Sequence, residues 1–365
     1  MDNNLNQQVE ENLKKLEDKN FGFYFFVMDT KNNPVGWVAN VYEHAKMLSD
    51  MGYNSYILHE KNEFTSVEGW LGTEYASLPH ISVESQQLRV SPADFLIIPE
   101  IFANMMEQTA KMPCKRIVLS QCYDYILEIL NLGAKWSDYG INDVITTTEK
   151  QKTYIQSLFP TMNVDIVPVS VPGYFTKSSK PQKPIVAIHT RKQEDMLKIV
   201  KTFYLKNPLF KWVTFRDLRG LPKKNFAKTL SESCVSVWVD DIASFGTFPI
   251  ESMKSGVPVI GKIPNVVPEW LEEVDEQNNV MIKDNGIWTS DFLKIPDLVS
   301  TYLRLWLEDG IPSELYQKME SSVEGKYSVE DMKKNVETTY VNIIQKRKME
   351  LVSVLSNNNN LINQQ

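Results

Sequence analysis

Short runs of β-branched and aromatic residues alternate with helix-patterned segments through most of the chain. That rhythm narrows the fold more than any other feature. Phe23–Met28, Ser55–His59, Phe95–Pro99, Arg116–Ser120, Asp143–Thr147 and Val164–Val169 read as buried strands. Helical patterns lie between several of them. Pro34–Asp50 carries Val38, Val41, Tyr42, Ala45 and Leu48 at helical spacing, and Glu149–Leu158 is another. Strands alternating with helices imply parallel sheets with helices on both faces, the α/β class. The pattern breaks at Val171-Pro172-Gly173 and Lys177–Pro184, where Pro, Ser and Lys crowd together as in an interdomain linker. It then restarts with strands Ile185–Ile188, Trp212–Phe215, Val235–Val239, Val257–Ile260 and Val280–Ile282. Helices Asp195–Lys206, Lys223–Ser233 and a short one near Pro249–Ser255 lie among them. The last helix opens at Ser328 with a capping-box-like Ser-Val-Glu-Asp, and Val329, Met332, Val336, Tyr340 and Ile343 form its apolar stripe.

The expected domains are therefore a polar lead-in over 1–20, a first α/β domain over 21–178, a second over 184–327, a helix over 328–350 and a frayed Asn/Gln-rich tail over 351–365. The length of 365 residues suits two cores. No apolar run approaches the ~18–20 residues of a membrane span. Met1–Asn20 is polar and acidic, which does not read as a signal peptide, so a cytoplasmic location is expected. Cys114, Cys122 and Cys234 are scattered and the four His are far apart, so neither a disulfide framework nor a metal site is expected. The net charge of −7 argues against a general nucleic-acid binder. Missing motifs narrow the chemistry further. There is no G-x-G-x-x-G after the first strand, no P-loop, no G-x-S-x-G elbow and no D-x-D.

The most informative stretch runs from Asp240 to Ile260. Strand Val235–Val239 ends in two acids, Asp240 and Asp241. A loop containing Gly246 leads into a short helix that stops at Gly256. The N–H groups around Gly246, Thr247 and Phe248 would face whatever lies above the strand ends, which suits phosphate. Glu251 lies one turn in, where a carboxylate can accept two hydrogen bonds from a ribose diol. The alternative for Glu251 is simple compensation of the helix dipole.

Ser244–Ile260 resembles the donor-binding segment of GT-B glycosyltransferases, especially the large retaining family that includes sucrose synthase and bacterial mannosyltransferases. Phe245, Gly246, Pro249, Glu251, Met253, Gly256, Pro258 and Val259 carry the match. The family has an earlier Glu by the donor sugar, and Ala243 stands in its place; Asp240 or Asp241 lies near enough to substitute. Pro34-Val35-Gly36 followed by Glu43-His44-Ala45 looks like the family's first loop and helix, where Gly36 lets backbone approach the donor. Asp143–Thr148 and Gly261–Trp270 are similar to further family segments. The resemblance spans roughly 21–344. It implies two Rossmann-like domains facing a cleft, with the last helix crossing back to the first domain.

The resemblance also assigns roles. Arg191, after strand Ile185–Ile188, matches a diphosphate-binding Arg, with Lys192 or Lys198 nearest to the accompanying Lys. Two cations beside a leaving diphosphate stabilise the charge that develops as the sugar–phosphate bond breaks. Arg191, Lys192 and Asp241 are thus the catalytic candidates. Glu251, Gly246, Thr247, Phe248, Gly36 and His189 are the nucleotide-binding ones. Gln121 could bond sugar hydroxyls, and Glu100 and Asp138 are first-domain acids facing an acceptor. For His44, Tyr123 and Tyr125 packing is the simpler reading. Arg216 and Arg219 suit either a structural Arg–Asp network or ligand contact.

The implied activity is transfer of a sugar from a nucleotide-diphosphate sugar, with retention and without metal or other cofactor, as in polysaccharide biosynthesis. The acceptor is open: carbohydrate, lipid-linked or protein, with contact at the inner face of the membrane also compatible. Two alternatives stand beside it. One is a non-catalytic binder of nucleotide-sugar or of a partner chain, favoured by Ala243; the other is a nucleotide-sugar epimerase.

Overall fold

The computed structural model describes residues 2–85 and 88–362. The chain divides into two units, one made of Met1–Pro168 with Met332–Gln365 and the other of Val169–Asp331. Both are built on parallel sheets, as the alternating pattern requires.

Among the described residues, the first unit's sheet has seven strands. They are β1 (Gly22–Phe26), β2 (Asn54–His59), β3 (His80–Ser82), β4 (Phe95–Pro99), β5 (Lys115–Ser120), β6 (Asp143–Thr146) and β7 (Asn163–Ile166), in the order β3-β2-β1-β4-β5-β6-β7. Every neighbouring pair is parallel. β4 is buried along its whole length, which is why its sequence, Phe-Leu-Ile-Ile-Pro, shows no polar alternation. β3 is short and carries His and Ser, so no apolar run announced it.

The second unit's main sheet has the order β14-β11-β10-β8-β9, again parallel. Its strands are β8 (Lys183–Thr190), β9 (Thr214–Asp217), β10 (Ser233–Val239), β11 (Val259–Lys262) and β14 (Ile287–Thr289). A small antiparallel pair, β12 (Glu272–Val274) with β13 (Val280–Ile282), lies apart from it. Alternate residues of β8 and β10 serve opposite faces. Val186, Ile188, Val235 and Val237 pack with Ile199, Phe203 and Tyr302, whereas Ala187 and Trp238 pack with Leu230, Phe248 and Ile250.

Three stretches differ from the sequence reading. The lead-in is a helix, Asp2–Glu17, that buries Val9 and Leu16; their seven-residue separation puts both on one face. The Pro-rich stretch does not bridge the units loosely, because Val171 and Phe175 lie inside the second unit's core and the division falls ahead of it, at Val169. The last helix runs Val329–Ile362, past the expected end at 350. Leu351 is buried there, Arg347 donates to the carbonyls of Pro92 (2.8 Å) and Pro113 (3.1 Å), and Lys115 bonds Glu350. These contacts hold the helix beyond its apolar stripe; residues 363–365 of the expected tail lie outside the described residues. From Met332 onward this helix belongs to the first unit, as the crossing predicts.

His44 anchors the crossing helix rather than a reaction. It is fully buried in the Gly36–Asp50 helix, and its Nδ1 shares a 3.1 Å hydrogen bond with the Tyr340 hydroxyl. Burial pushes its pKa down to about 3. The unfolded chain therefore binds a proton near pH 6.5 that the folded chain refuses, and stability falls as pH drops from about 6.5 towards 3. His44→Gln should make that fall shallower by ~1.4 kcal/mol per pH unit in urea titrations at successive pH values. An unchanged slope would show that His44 protonates in the folded chain.

Candidate functional site

The second unit's strand order reverses between β8 and β10, the place where open α/β sheets bind ligands beyond the strands' carboxyl ends. Trp238 pairs with His189 and Val239 with Thr190 across these strands, so the groups just past them emerge together. The Arg191 amide donates to the Val239 carbonyl at 2.9 Å, and the Arg191 guanidinium lies 3.6 Å from Asp240. Burial pushes the Asp240 carboxyl above the usual range, against the pull of Arg191.

Next comes the helix Thr247–Lys254, capped by Gly246 at φ 70°, in the left-handed region. A Cβ on Gly246 would lie 2.9 Å from the Trp238 ring, so glycine is required by both backbone and space. Trp238, Trp270 and Trp288 form a cluster behind this turn, with ring centroids 5.5–6.3 Å apart. The Trp270 indole N–H donates to the Phe245 carbonyl at 2.5 Å and fixes the loop before the turn. The first-turn N–H groups of the helix have no intrahelical acceptors, which leaves a partial positive charge at its start.

His189 lies flat against Phe248 in that first turn, with centroids 5.1 Å apart and planes 18° apart. Its Nδ1 is buried and has no hydrogen-bond partner among the described residues. Burial pushes the ring down to about 4, and Lys223 adds to this, so His189 is neutral at physiological pH. Glu251 is 3 % exposed, and its Oε1 accepts from Lys223 Nζ at 2.8 Å.

His189, Arg191, Gly246, Thr247, Phe248 and Glu251 thus gather at one end of one sheet. Lys192 begins the Gln193–Lys206 helix as its N-cap, and its carbonyl accepts from the Thr190 hydroxyl at 2.7 Å. Asp241 is drawn to Lys262 at 2.5 Å, at the end of β11. Ala243 is buried in the apolar core and brings no polar atom in place of a carboxylate. Arg219 forks onto Asp217, the structural network, while Arg216 is exposed. Lys223 was not singled out from the sequence. Its one local signal is its place directly after Gly220-Leu221-Pro222, at the start of the Lys223–Glu232 helix.

Gly36, Gln121, Glu100 and Asp138 belong to the first unit. Gly36 starts its helix and has open space around it. Gln121 accepts from Asn40 at 2.9 Å and donates to the Trp37 carbonyl at 3.3 Å. Glu100 Oε1 accepts from the backbone N–H groups of Gln121 and Cys122, both at 2.8 Å, which ties β4 to the segment after β5. Burial nonetheless pushes Glu100 up to about 7. Asp138 caps a short helical turn by accepting from Lys135 N–H, a local structural role. Tyr123 is buried edge-to-face against Tyr154.

No family profile matches the chain. Comparison with curated proteins finds an alpha-1,6-glucosyltransferase of Actinobacillus pleuropneumoniae serotype 7 (strain AP76), 23% identical over 309 residues, covering 82% of this chain and 89% of that protein. Among solved structures, the pneumococcal O-GlcNAc transferase GtfA in complex with UDP and GlcNAc superposes with a TM-score of 0.61 at 10% identity, covering 90% of this chain and 99% of GtfA. Anabaena HepE in complex with UDP-glucose gives 0.59 at 11% identity, covering 88% and 99%. The fold is that of the GT-B glycosyltransferases, as the Ser244–Ile260 match implied.

The Gly246 turn yields a direct expectation. Gly246→Ala should cost about 1–2 kcal/mol from the left-handed backbone alone, with the Trp238 contact adding to it. Urea unfolding followed by tryptophan fluorescence measures this, and an unchanged midpoint would contradict the packing described.

Proposed function

We propose that the chain is a glycosyltransferase that takes a hexose from a UDP-sugar, with retention and without a metal ion. One observation carries the reading. At the switch point of the second unit a buried carboxylate, Glu251, lies one turn into a glycine-capped helix whose N-terminus is stacked on His189. A nucleoside diphosphate has complementary parts: a diol for the carboxylate and a diphosphate for the helix N-terminus. The curated relative is a glucosyltransferase, and GtfA and HepE are described in complex with UDP or UDP-glucose, which supports UDP-glucose as the first donor to try.

In this reading Arg191 and Lys192, with the first N–H groups of the Thr247–Lys254 helix, stabilise the leaving diphosphate as the sugar–phosphate bond breaks. His189 is neutral and rigidly stacked, so it offers a hydrogen bond without adding charge. Asp241 lies beside the loop that lacks the family's first Glu. Its pairing with Lys262 has to loosen before it can reach a sugar. The acceptor is a hydroxyl of a carbohydrate, a lipid-linked glycan or a protein. Among the described residues no helix is long and apolar enough to cross a membrane.

Ala243 favours one competing reading, a protein that binds nucleotide-sugar without turning it over. Incubation with UDP-glucose and a panel of glucan, lipid-linked and protein acceptors separates the two. We expect UDP release that persists in EDTA, a product whose anomeric proton reports retention, and loss of at least ~10-fold in UDP affinity in Glu251→Ala. Binding without release would favour the non-catalytic reading, and no binding of UDP, GDP or ADP sugars would overturn the donor site altogether.

A further inference from the structure

Glu251 is buried, yet its carboxylate is only half engaged. Oε1 accepts from Lys223 Nζ at 2.8 Å, and among the described residues Oε2 takes no hydrogen bond. The ammonium makes no other hydrogen bond there either, so two of its three N–H groups are unassigned.

Lys223 is held from several sides. It is the first residue of the Lys223–Glu232 helix, and Pro222 at the N-cap fixes the approach of the chain. Its Nζ lies 5.9 Å from the Phe175 ring centroid and 5.8 Å from that of Phe226, within cation–π range. Phe226 meets Phe248 edge-on, so the lysine is packed against the same aromatic group that holds the start of the Thr247–Lys254 helix. A lysine with this much packing has few alternative rotamers in which to place its charge.

We infer that Lys223 is a positioning residue of the nucleotide site: it turns Glu251 so that Oε2 and a spare ammonium N–H face a ribose diol together. The inference rests on the donor-site reading above and adds a specificity to it. Each hydroxyl of a ribose diol both donates and accepts. A carboxylate oxygen beside an ammonium N–H supplies one acceptor and one donor, the pair that such a diol requires. A 2′-deoxyribose lacks one of those hydroxyls and leaves a charged group partly desolvated and unpartnered. The site should therefore prefer ribonucleotides to 2′-deoxyribonucleotides because of Lys223, and not through Glu251 alone.

Titration calorimetry with UDP and 2′-deoxy-UDP tests this on the full chain. The intact protein should bind UDP at least ~10-fold more tightly than 2′-deoxy-UDP. Lys223→Met should abolish most of that ratio. Lys223→Arg is the sharper variant and guards against misfolding of the first. It keeps the ion pair, but a guanidinium forks onto both carboxylate oxygens and covers Oε2. Its thermal midpoint should be preserved while UDP affinity falls ~10-fold and the ratio approaches one. A Lys223→Arg variant with unchanged UDP affinity and ratio would overturn the inference and leave the pair purely structural. Intact protein that binds no UDP would instead overturn the donor-site reading, and this inference with it.

Discussion

The second unit's site depends on one turn, Gly246 in the left-handed region that glycine adopts freely, with the Trp238 ring against it. A Cβ there would run into the Trp238 ring, and the Thr247–Lys254 helix starts directly after this turn. Trp270 holds the preceding carbonyl, and Trp288 closes the cluster from β14. Even Gly261 on β11 is dictated by this cluster, since a Cβ there would run into the Trp288 ring. Three large rings thus pack behind the loop, and one of them is hydrogen-bonded to it. A helix N-terminus can serve as an anion site only if its direction is fixed.

The parallel sheet supplies the remaining order. Because β8 and β10 run the same way, their ends deliver His189, Arg191 and Asp240 to one edge. Charges then meet in pairs of different tightness. Lys223–Glu251 is short and buried on the Glu side, whereas Arg191–Asp240 is longer and its arginine is 41 % exposed. Breaking a buried pair leaves an uncompensated charge, so the first pair is fixed, while the second can rearrange at lower cost.

Much of this was legible in the sequence wherever the signal was local. Val235–Val239 reads as a buried strand, Gly246 and Gly256 bracket a short helix, and Glu251 sits one turn in. The Ser244–Ile260 match to GT-B enzymes rests on that contiguous stretch. What escaped needed distance information. Lys223 and Glu251 are 28 residues apart, and Trp270 reaches Phe245 across 25. Val171 and Phe175 hid in a Pro- and Lys-rich context that resembles a linker, though burial of two apolar side chains outweighs local composition. The Asp2–Glu17 helix read as a polar lead-in because, among the described residues, its buried apolar side chains are two, Val9 and Leu16, set in a polar sequence. His80–Ser82 forms a strand through its neighbour β2 rather than through its own propensity.

The central claim is that the start of the Thr247–Lys254 helix and Glu251 together hold a nucleoside diphosphate. A crystal structure of the protein soaked with UDP tests it most directly. The account predicts the ribose diol on Glu251 Oε2 and the diphosphate over the Gly246–Phe248 turn beside Arg191. UDP bound elsewhere, with Oε2 still open, would contradict it.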